Sequence, residues 1–400
     1  MDLERNKKLL VVFTLGVSLL KWEQQGILLR EIEIYKYYRK EGWDITFLTY
    51  GDIRERQILE KYFGSQFKLI NLRNHLSSKY LLDNQYLNFF YSLKAIFLIQ
   101  RIRNDIDLIK SSQLYGCWIC SIFSILNNKP WLSRIGYDFF KFLDSDISRD
   151  RGLLFRSLKI FTLKRLHLYF AKFANKMIVS SKKDFNNTSL WFSKNIILNK
   201  NWIYIPSLTT KEIDMKAKNI IESKNLKILF VGRLEYQKRI DIAINAVNKC
   251  EPNVFLDIFG SGKEEVSIRN LISNINNNRI RLLGSLDNKS LISKMNNYNV
   301  LISTSEIEGS PKSLLEGMGS GLLIICRRCA GNNELIKNGI NGFLFNDTNQ
   351  LKNILNNIKS LNKNQIKDML SYNYKKVKTE HSLSNFASKE INLANEMISK

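Results

Sequence analysis

Short apolar runs alternate with longer stretches whose apolar positions recur every three to four residues, along the whole of the 400-residue chain. Runs of four to seven residues suit buried strands, and the longer period suits helices with one apolar face. In the first half this pattern predicts strands near Lys8–Thr14, Asp44–Tyr50, Gln66–Asn71, Asp107–Ser111, Trp131–Ile135, Met177–Ser180 and Trp202–Ile205. Helices are expected near Gln24–Lys40, Tyr86–Arg103, Leu114–Leu126 and Gly152–Asn175. The polar, lysine-rich stretch Pro206–Asn225 reads as a linker. The alternation then starts afresh, with strands near Lys227–Val231, Val254–Phe259, Arg279–Leu283, Val300–Ser303, Leu322–Ile325 and Gly342–Phe345, and a last helix over Ser382–Lys400.

Repeated strand–helix alternation is the signature of parallel sheets covered by helices. The expected fold class is therefore α/β, with two Rossmann-like domains facing across a cleft. The expected boundaries are 1–206 and 207–380, and the helix of 381–400 is able to cross back to the first domain. Ligands of such folds bind at the carboxyl ends of the strands.

Composition changes this picture little. Five cysteines in 400 residues suit a reducing compartment, with thiols serving as small apolar groups. Two pairs have C-x-x-C spacing, but Cys117–Cys120 lies in an apolar helix and Cys326–Cys329 follows a strand. With only three histidines in the chain, no metal site is expected. Lys7-Lys8 before Leu9–Leu20 imitates a signal peptide. No small-x-small cleavage site follows, and a buried first strand is the better reading. No segment has about 20 uncharged apolar residues, so no spanning helix is expected.

The net charge of +24 matters more. Nucleic acid is the obvious partner for such a charge, but no nucleic-acid-binding motif accompanies it, and Lys, Asn and Ile are all abundant, as in translation of an AT-rich genome. An anionic membrane or a phosphate-bearing substrate explains the charge at least as well. On 152–175, five basic residues lie among leucines and phenylalanines. That helix suits either docking on anionic lipid or ordinary packing on a sheet.

Two stretches carry candidate chemistry. In Ser303-Thr-Ser-Glu-Ile-Glu-Gly-Ser-Pro-Lys-Ser-Leu-Leu-Glu316 a buried strand ends in small polar residues. Glu308, a Gly309–Ser310 turn, Pro311 at the first helical position, and a helix with Lys312, Ser313 and Glu316 follow. Free amides at a helix start, aided by its dipole, bind phosphate, and the flanking carboxylates suit sugar and ribose hydroxyls. An ordinary helix cap with a surface Glu is the plainer alternative. In Lys227-Ile-Leu-Phe-Val-Gly-Arg-Leu-Glu-Tyr-Gln-Lys-Arg-Ile-Asp241, Gly232 ends a strand, and Arg233 and Lys238 follow it. Two such cations can grip a diphosphate.

Taken with Asp257-Ile-Phe-Gly-Ser-Gly262, Glu316-Gly-Met-Gly-Ser-Gly and Gly331-Asn-Asn-Glu-Leu-Ile…Asn341-Gly-Phe-Leu-Phe, these blocks resemble the retaining GT-B glycosyltransferases of family 4 over about 226–346. Glu308 and Glu316 match the E-x7-E motif of that family. The resemblance implies a donor site for a nucleoside-diphosphate sugar, made of Gly16, Gly232, Arg233, Lys238, Gly260, Glu308, Gly309, Ser310, Lys312, Ser313 and Glu316. Within it, Arg233 and Lys238 would hold the diphosphate, Glu316 the ribose, and Glu308 would face the transferred sugar. Gly16, in the loop after the first strand, would approach the donor phosphates.

Where many relatives have a sugar-contacting His, this chain reads Ser133-Arg-Ile-Gly-Tyr-Asp138. Arg134, Tyr137 and Asp138 become acceptor-side candidates. His167, inside a helix pattern, is expected to be structural, and Asp144-Ser-Asp146 is expected to be a turn rather than a metal motif. The implied activity is metal-independent sugar transfer, without a cofactor, to a glycan or lipid-linked acceptor at the inner face of a bacterial plasma membrane. A sugar-nucleotide 2-epimerase of the same fold and a nucleic-acid-binding protein are the rival readings.

Overall fold

The computed structural model describes residues 5–73, 85–135 and 153–399. The chain forms two compact units, Met1–Lys200 with Phe386–Lys400, and Asn201–Asn385.

The first unit holds seven strands: β1 Lys7–Val12, β2 Trp43–Thr49, β3 Lys68–Asn71, β4 Leu108–Ser111, β5 Trp131–Ile135, β6 Lys176–Val179 and β7 Asn195–Leu198. All pair in parallel, in the order β3-β2-β1-β4-β5-β6-β7. The second unit holds β8 Leu226–Val231, β9 Val254–Phe259, β10 Ile280–Leu282, β11 Val300–Ser303, β12 Leu323–Arg327 and β13 Phe343–Phe345. These too are parallel, in the order β10-β9-β8-β11-β12-β13. Both sheets are Rossmann-like, and each reverses its winding direction between its first and fourth strands, where such sheets open a crevice. Helices cover both faces, so central strands such as Leu9–Val12 are buried on both sides and lack polar alternation.

Three expectations change. Trp202–Ile205 is not a strand: Trp202 and Ile203 are buried, but the Ile203 amide donates to the His381 carbonyl instead of joining a ladder. The edge strand is the shorter Asn195–Leu198. The Gln24–Lys40 helix is two helices, Leu19–Gln24 and Leu28–Lys40, because Gly26 between them has a left-handed φ of 67°. The supposed linker contains the helix Thr210–Glu222. Thr209 and Glu212 form a reciprocal capping box at its start, and Ile213, Ala217 and Ile220 are buried on one face. Lys211 and Lys218 are exposed, while Lys216 is half-buried beside Gly321.

The C-terminal helix Leu383–Ile398 runs into the first unit from Phe386 onward. There Glu390 is completely buried and accepts from Lys110 of β4, from Arg134 Nη1 of β5 at 3.2 Å and from Tyr38 Oη at 3.1 Å. Burial alone would neutralise the carboxyl, but the charges of Lys110 and Arg134 hold it below the usual carboxylate range.

Candidate functional site

At the carboxyl edge of the second sheet, four loops come together. The loop after β8 is Gly232–Arg239, including a short turn of 3₁₀ helix at Tyr236–Lys238. It is stitched to the loop after β11 by Thr304 Oγ1 donating to the Lys238 carbonyl at 2.6 Å and by the Glu306 amide donating to the Gln237 carbonyl at 3.0 Å. On this frame Lys238 forms a partly buried ion pair with Glu308.

The glycines mark where backbones touch. A β-carbon on Gly260, after β9, would lie 1.9 Å from the Gly232 carbonyl oxygen, and one on Gly262 would lie 2.4 Å from that of Leu234. Gly331, after β12, leaves just enough room for the carbonyls of Glu308 and Gly309, each 2.6 Å from where its β-carbon would stand. Gly232 has no such backbone contact: its nearest neighbours would be side-chain atoms at 3.6 Å or more.

The helix Lys312–Gly319 begins after Pro311, whose extended backbone makes it the cap residue rather than the first helical one. The cap residue Pro311 makes no side-chain bond to the helix start, and the positive end of the helix dipole lies next to the Gly309–Ser310 turn. Ser313 and Lys312 occupy its first turn and are half-buried. Deeper in the same helix Glu316 is buried and accepts from Asn288 Nδ2 at 2.7 Å. The loops and the helix at this edge carry Gly232, Arg233, Lys238, Gly260, Glu308, Gly309, Ser310, Lys312, Ser313 and Glu316, and the contacts above tie Lys238 to Glu308 and Gly260 to Gly232. Arg233 is exposed and has no ion-pair partner among the described residues.

Beside this site lies a network that the sequence did not announce. Glu306 accepts from Arg239 Nη1 at 2.6 Å and Arg327 Nη1 at 2.8 Å, and Arg239 also holds Asp241. Burial would raise Glu306, yet the two guanidinium bonds keep its pKa below the usual range. Arg239 itself adopts a left-handed φ of 45°, a conformation rare outside glycine. Only the run of charges Lys238-Arg239 and Glu306-Ile-Glu308 hinted at this bracing. Asn288, 28 residues upstream of Glu316, gave no sign at all.

Gly16 belongs to the first unit, in the loop after β1. It has a left-handed φ of 75°, and a β-carbon there would come within 2.5 Å of the Asn88 side-chain nitrogen. The loop is pinned by the Leu15 amide on the Tyr115 carbonyl at 3.1 Å and by the Leu19 amide on the buried carboxyl of Glu55. Of the acceptor-side candidates, Arg134 is turned inward to Glu390 and stacks over Phe386 at 4.6 Å. Tyr137 and Asp138 lie outside the described residues, as do Asp144 and Asp146. His167 is buried, stacks on Tyr115 with ring centroids 5.2 Å apart, accepts from the Gly116 amide at 3.1 Å and contacts the Leu163 carbonyl at 2.6 Å. Burial lowers its pKa, so it is a neutral packing residue. Cys117, Cys120 and Cys326 are buried, which pushes their thiols up and leaves them unreactive.

Two parallel Rossmann-like halves with these loops make up the fold of the GT-B glycosyltransferases. Anabaena HepE, whose crystal structure was determined in complex with UDP-glucose, shares it at a TM-score of 0.70 over 97% of this chain and 99% of its own, with 18% identity. Residues 211–378 match the family "Glycosyl transferases group 1". The GtfA subunit of a UDP-N-acetylglucosamine–peptide N-acetylglucosaminyltransferase from Streptococcus agalactiae is 39% identical over 136 residues, 33% of this chain. The Escherichia coli O-antigen biosynthesis glycosyltransferase WbnH is 32% identical over 122 residues, 30% of this chain. The matches span 26% and 34% of those two relatives.

Proposed function

We propose that this chain is a retaining, metal-independent glycosyltransferase that moves a sugar from a nucleoside-diphosphate sugar to a glycan or lipid-linked acceptor in bacterial envelope polysaccharide assembly. The observation that carries the reading is the meeting of Lys238, Glu308 and the start of the helix Lys312–Gly319 at one sheet edge. A cation, a carboxylate and a helix start within one loop cluster suit a sugar joined to a diphosphate. The names of the relatives matched over part of the chain, and the UDP-glucose complex of the HepE neighbour, support a UDP-sugar as the first donor to try.

In this reading Arg233 and Lys238 stabilise the departing diphosphate, the amides of Gly309–Ser313 meet a phosphate or the sugar, and Glu316, steadied by Asn288, binds the ribose. The anomeric carbon–oxygen bond to the phosphate breaks and the acceptor hydroxyl adds to the same face. Its proton passes to the leaving phosphate oxygen. Preorganised donors at a developing negative charge supply most of the rate. The first unit would receive the acceptor.

Thermal unfolding against UDP-, GDP- and ADP-sugars tests this, on wild type, Arg233→Ala and Glu316→Ala. A ligand present at 100 times its dissociation constant stabilises by roughly 2.7 kcal/mol. One donor should raise the midpoint of wild type and of neither variant. If no donor shifts the folded wild type, the proposal fails.

A further inference from the structure

Three helices pack side by side over one face of the first sheet: Gln85–Arg101, Trp118–Asn127 and Leu153–Ala171. Trp118 Nε1 donates to Ser92 Oγ at 2.9 Å, Asn127 Nδ2 to Gln100 Oε1 at 2.8 Å, and the rings of Trp118 and His167 lie 5.0 Å apart. These contacts lock the helices into one layer. Their inward faces are filled, with Ala95, Ile99, Ile119, Phe123 and Ala171 fully buried.

Their outward faces are the reverse of an ordinary surface. Phe90, Leu93 and Phe97 form an exposed stripe on the first helix, with Phe97 75% and Phe90 65% exposed. Leu126, at 63%, and Ile125 lie near the end of the second helix, while Leu166 and Tyr169 line the third, with Tyr169 at 60%, and Phe173 is exposed in the turn that follows it. Between them stand exposed Lys94, Arg101, Arg165 and Lys172. No Asp or Glu occurs at 85–104, 108–135 or 153–183, so all 37 acidic residues of the chain lie elsewhere. Monomeric proteins rarely leave so many large apolar side chains together in water. A helix layer meant only to cover a sheet would put its lysines and glutamates outward and its phenylalanines inward.

We propose that this three-helix layer is a docking surface for an anionic lipid bilayer. The aromatic and leucine side chains enter the headgroup boundary, and the basic side chains, long enough to reach past them, meet lipid phosphates. The complete absence of acidic residues favours anionic lipid over a protein, because a protein partner would gain specificity from charges of both signs. None of the helices is long and apolar enough to cross a membrane, so contact along the surface is the geometry that fits. The layer does not depend on the transferase reading, but it has a consequence for it. The helix Gln85–Arg101 starts beside Gly16, through Asn88, so a docked bilayer would run up to the loop edge at which a lipid-linked acceptor would be needed.

The test is co-sedimentation of the full chain with vesicles of phosphatidylglycerol and phosphatidylcholine, and with phosphatidylcholine alone. The expected result is binding to the anionic vesicles that weakens at least tenfold at high salt and in the neutral vesicles. A Phe90→Ser, Phe97→Ser, Tyr169→Ser triple variant should lose at least tenfold in binding with an unchanged melting temperature, since these side chains are exposed. Hydrogen exchange on the wild type, which needs no variant, should show vesicle-dependent protection at 85–103, 118–129 and 161–175. Absence of sedimentation with anionic vesicles, or protection elsewhere, overturns the proposal. A dimer in light scattering that the triple variant disperses, with no vesicle binding, assigns the surface to a second copy of the chain. Donor-induced stabilisation, measured without vesicles, tells a failure here from a failure of the transferase reading.

Discussion

Lys238 closes an ion pair on Glu308, 70 positions later in the chain, and so clasps the loop after β8 to the loop after β11. Replacing Lys238 by Met should cost about 10²–10³ in kcat/KM, the scale of losing one preorganised electrostatic donor. Melting temperature should change little, because Thr304 Oγ1 and the Glu306 amide still bond to the Lys238 and Gln237 carbonyls, which the substitution leaves in place. A variant with wild-type turnover would remove Lys238 from the chemistry.

Glu316 and Asn288 are buried partners at 2.7 Å. Glu316→Ala should raise the donor KM roughly 10–100-fold, from about 1.5–3 kcal/mol for a hydrogen bond to a charged group, with a smaller fall in kcat. A fall in kcat alone, at unchanged KM, would contradict ground-state contact with the donor.

Gly232 and Gly260 look alike in sequence and should behave oppositely. Gly260→Ala drives a methyl group into the Gly232 carbonyl and should destabilise the second unit by a few kcal/mol, the range of overpacking. Gly232→Ala meets only ordinary contacts and should fold normally. Denaturant titration of both variants distinguishes them, and equal stabilities would refute the close approach.

Glu55 is buried against the loop after β1, and burial raises its pKa to about 7, offset in part by bonds from Thr49, the Leu19 amide and Asn71. Because the folded pKa lies above the unfolded one, its contribution is fully present below about pH 4.5 and fades as pH rises through 7. The shift corresponds to about 3 kcal/mol at 1.36 kcal/mol per unit. Urea unfolding should show most of that loss between pH 5 and pH 8, with lower stability at pH 8, and Glu55→Gln should flatten it. A slope of the opposite sign would mean that the hydrogen bonds outweigh burial.

Glu390→Ala leaves Lys110 and Arg134 without their buried carboxylate and should cost about 3–5 kcal/mol, as breaking a buried pair does. Circular dichroism melts would register this as a lower transition of the first unit. Unaltered melting would show that water or another group takes over the two cations.

The parallel sheets were legible because a doubly covered strand such as Leu9–Val12 needs an unbroken apolar run, and few other structures do. Errors arose where packing overrides pattern. Trp202 and Ile203 are as apolar as any strand and are buried, but the Ile203 amide bonds to the His381 carbonyl instead of to a neighbouring strand. The capping box of Thr209 and Glu212 is written in the sequence, but the lysines around it give the same stretch the composition of a linker. At the site, the residues of one continuous motif could be read together. Asn288 and Arg327 could not, because only the fold makes them neighbours of Glu316 and Glu306. Nor could the partner of Arg134 be read, because Glu390 is 256 positions away.

The return of Phe386–Lys400 to the first unit sets the order in which the two units can be finished during synthesis. Domains usually complete in the order they leave the ribosome, but here every residue of the second unit is made before Glu390. Lys110 therefore waits for a partner made 280 positions later. The half of the molecule that is started first is the half that is completed last.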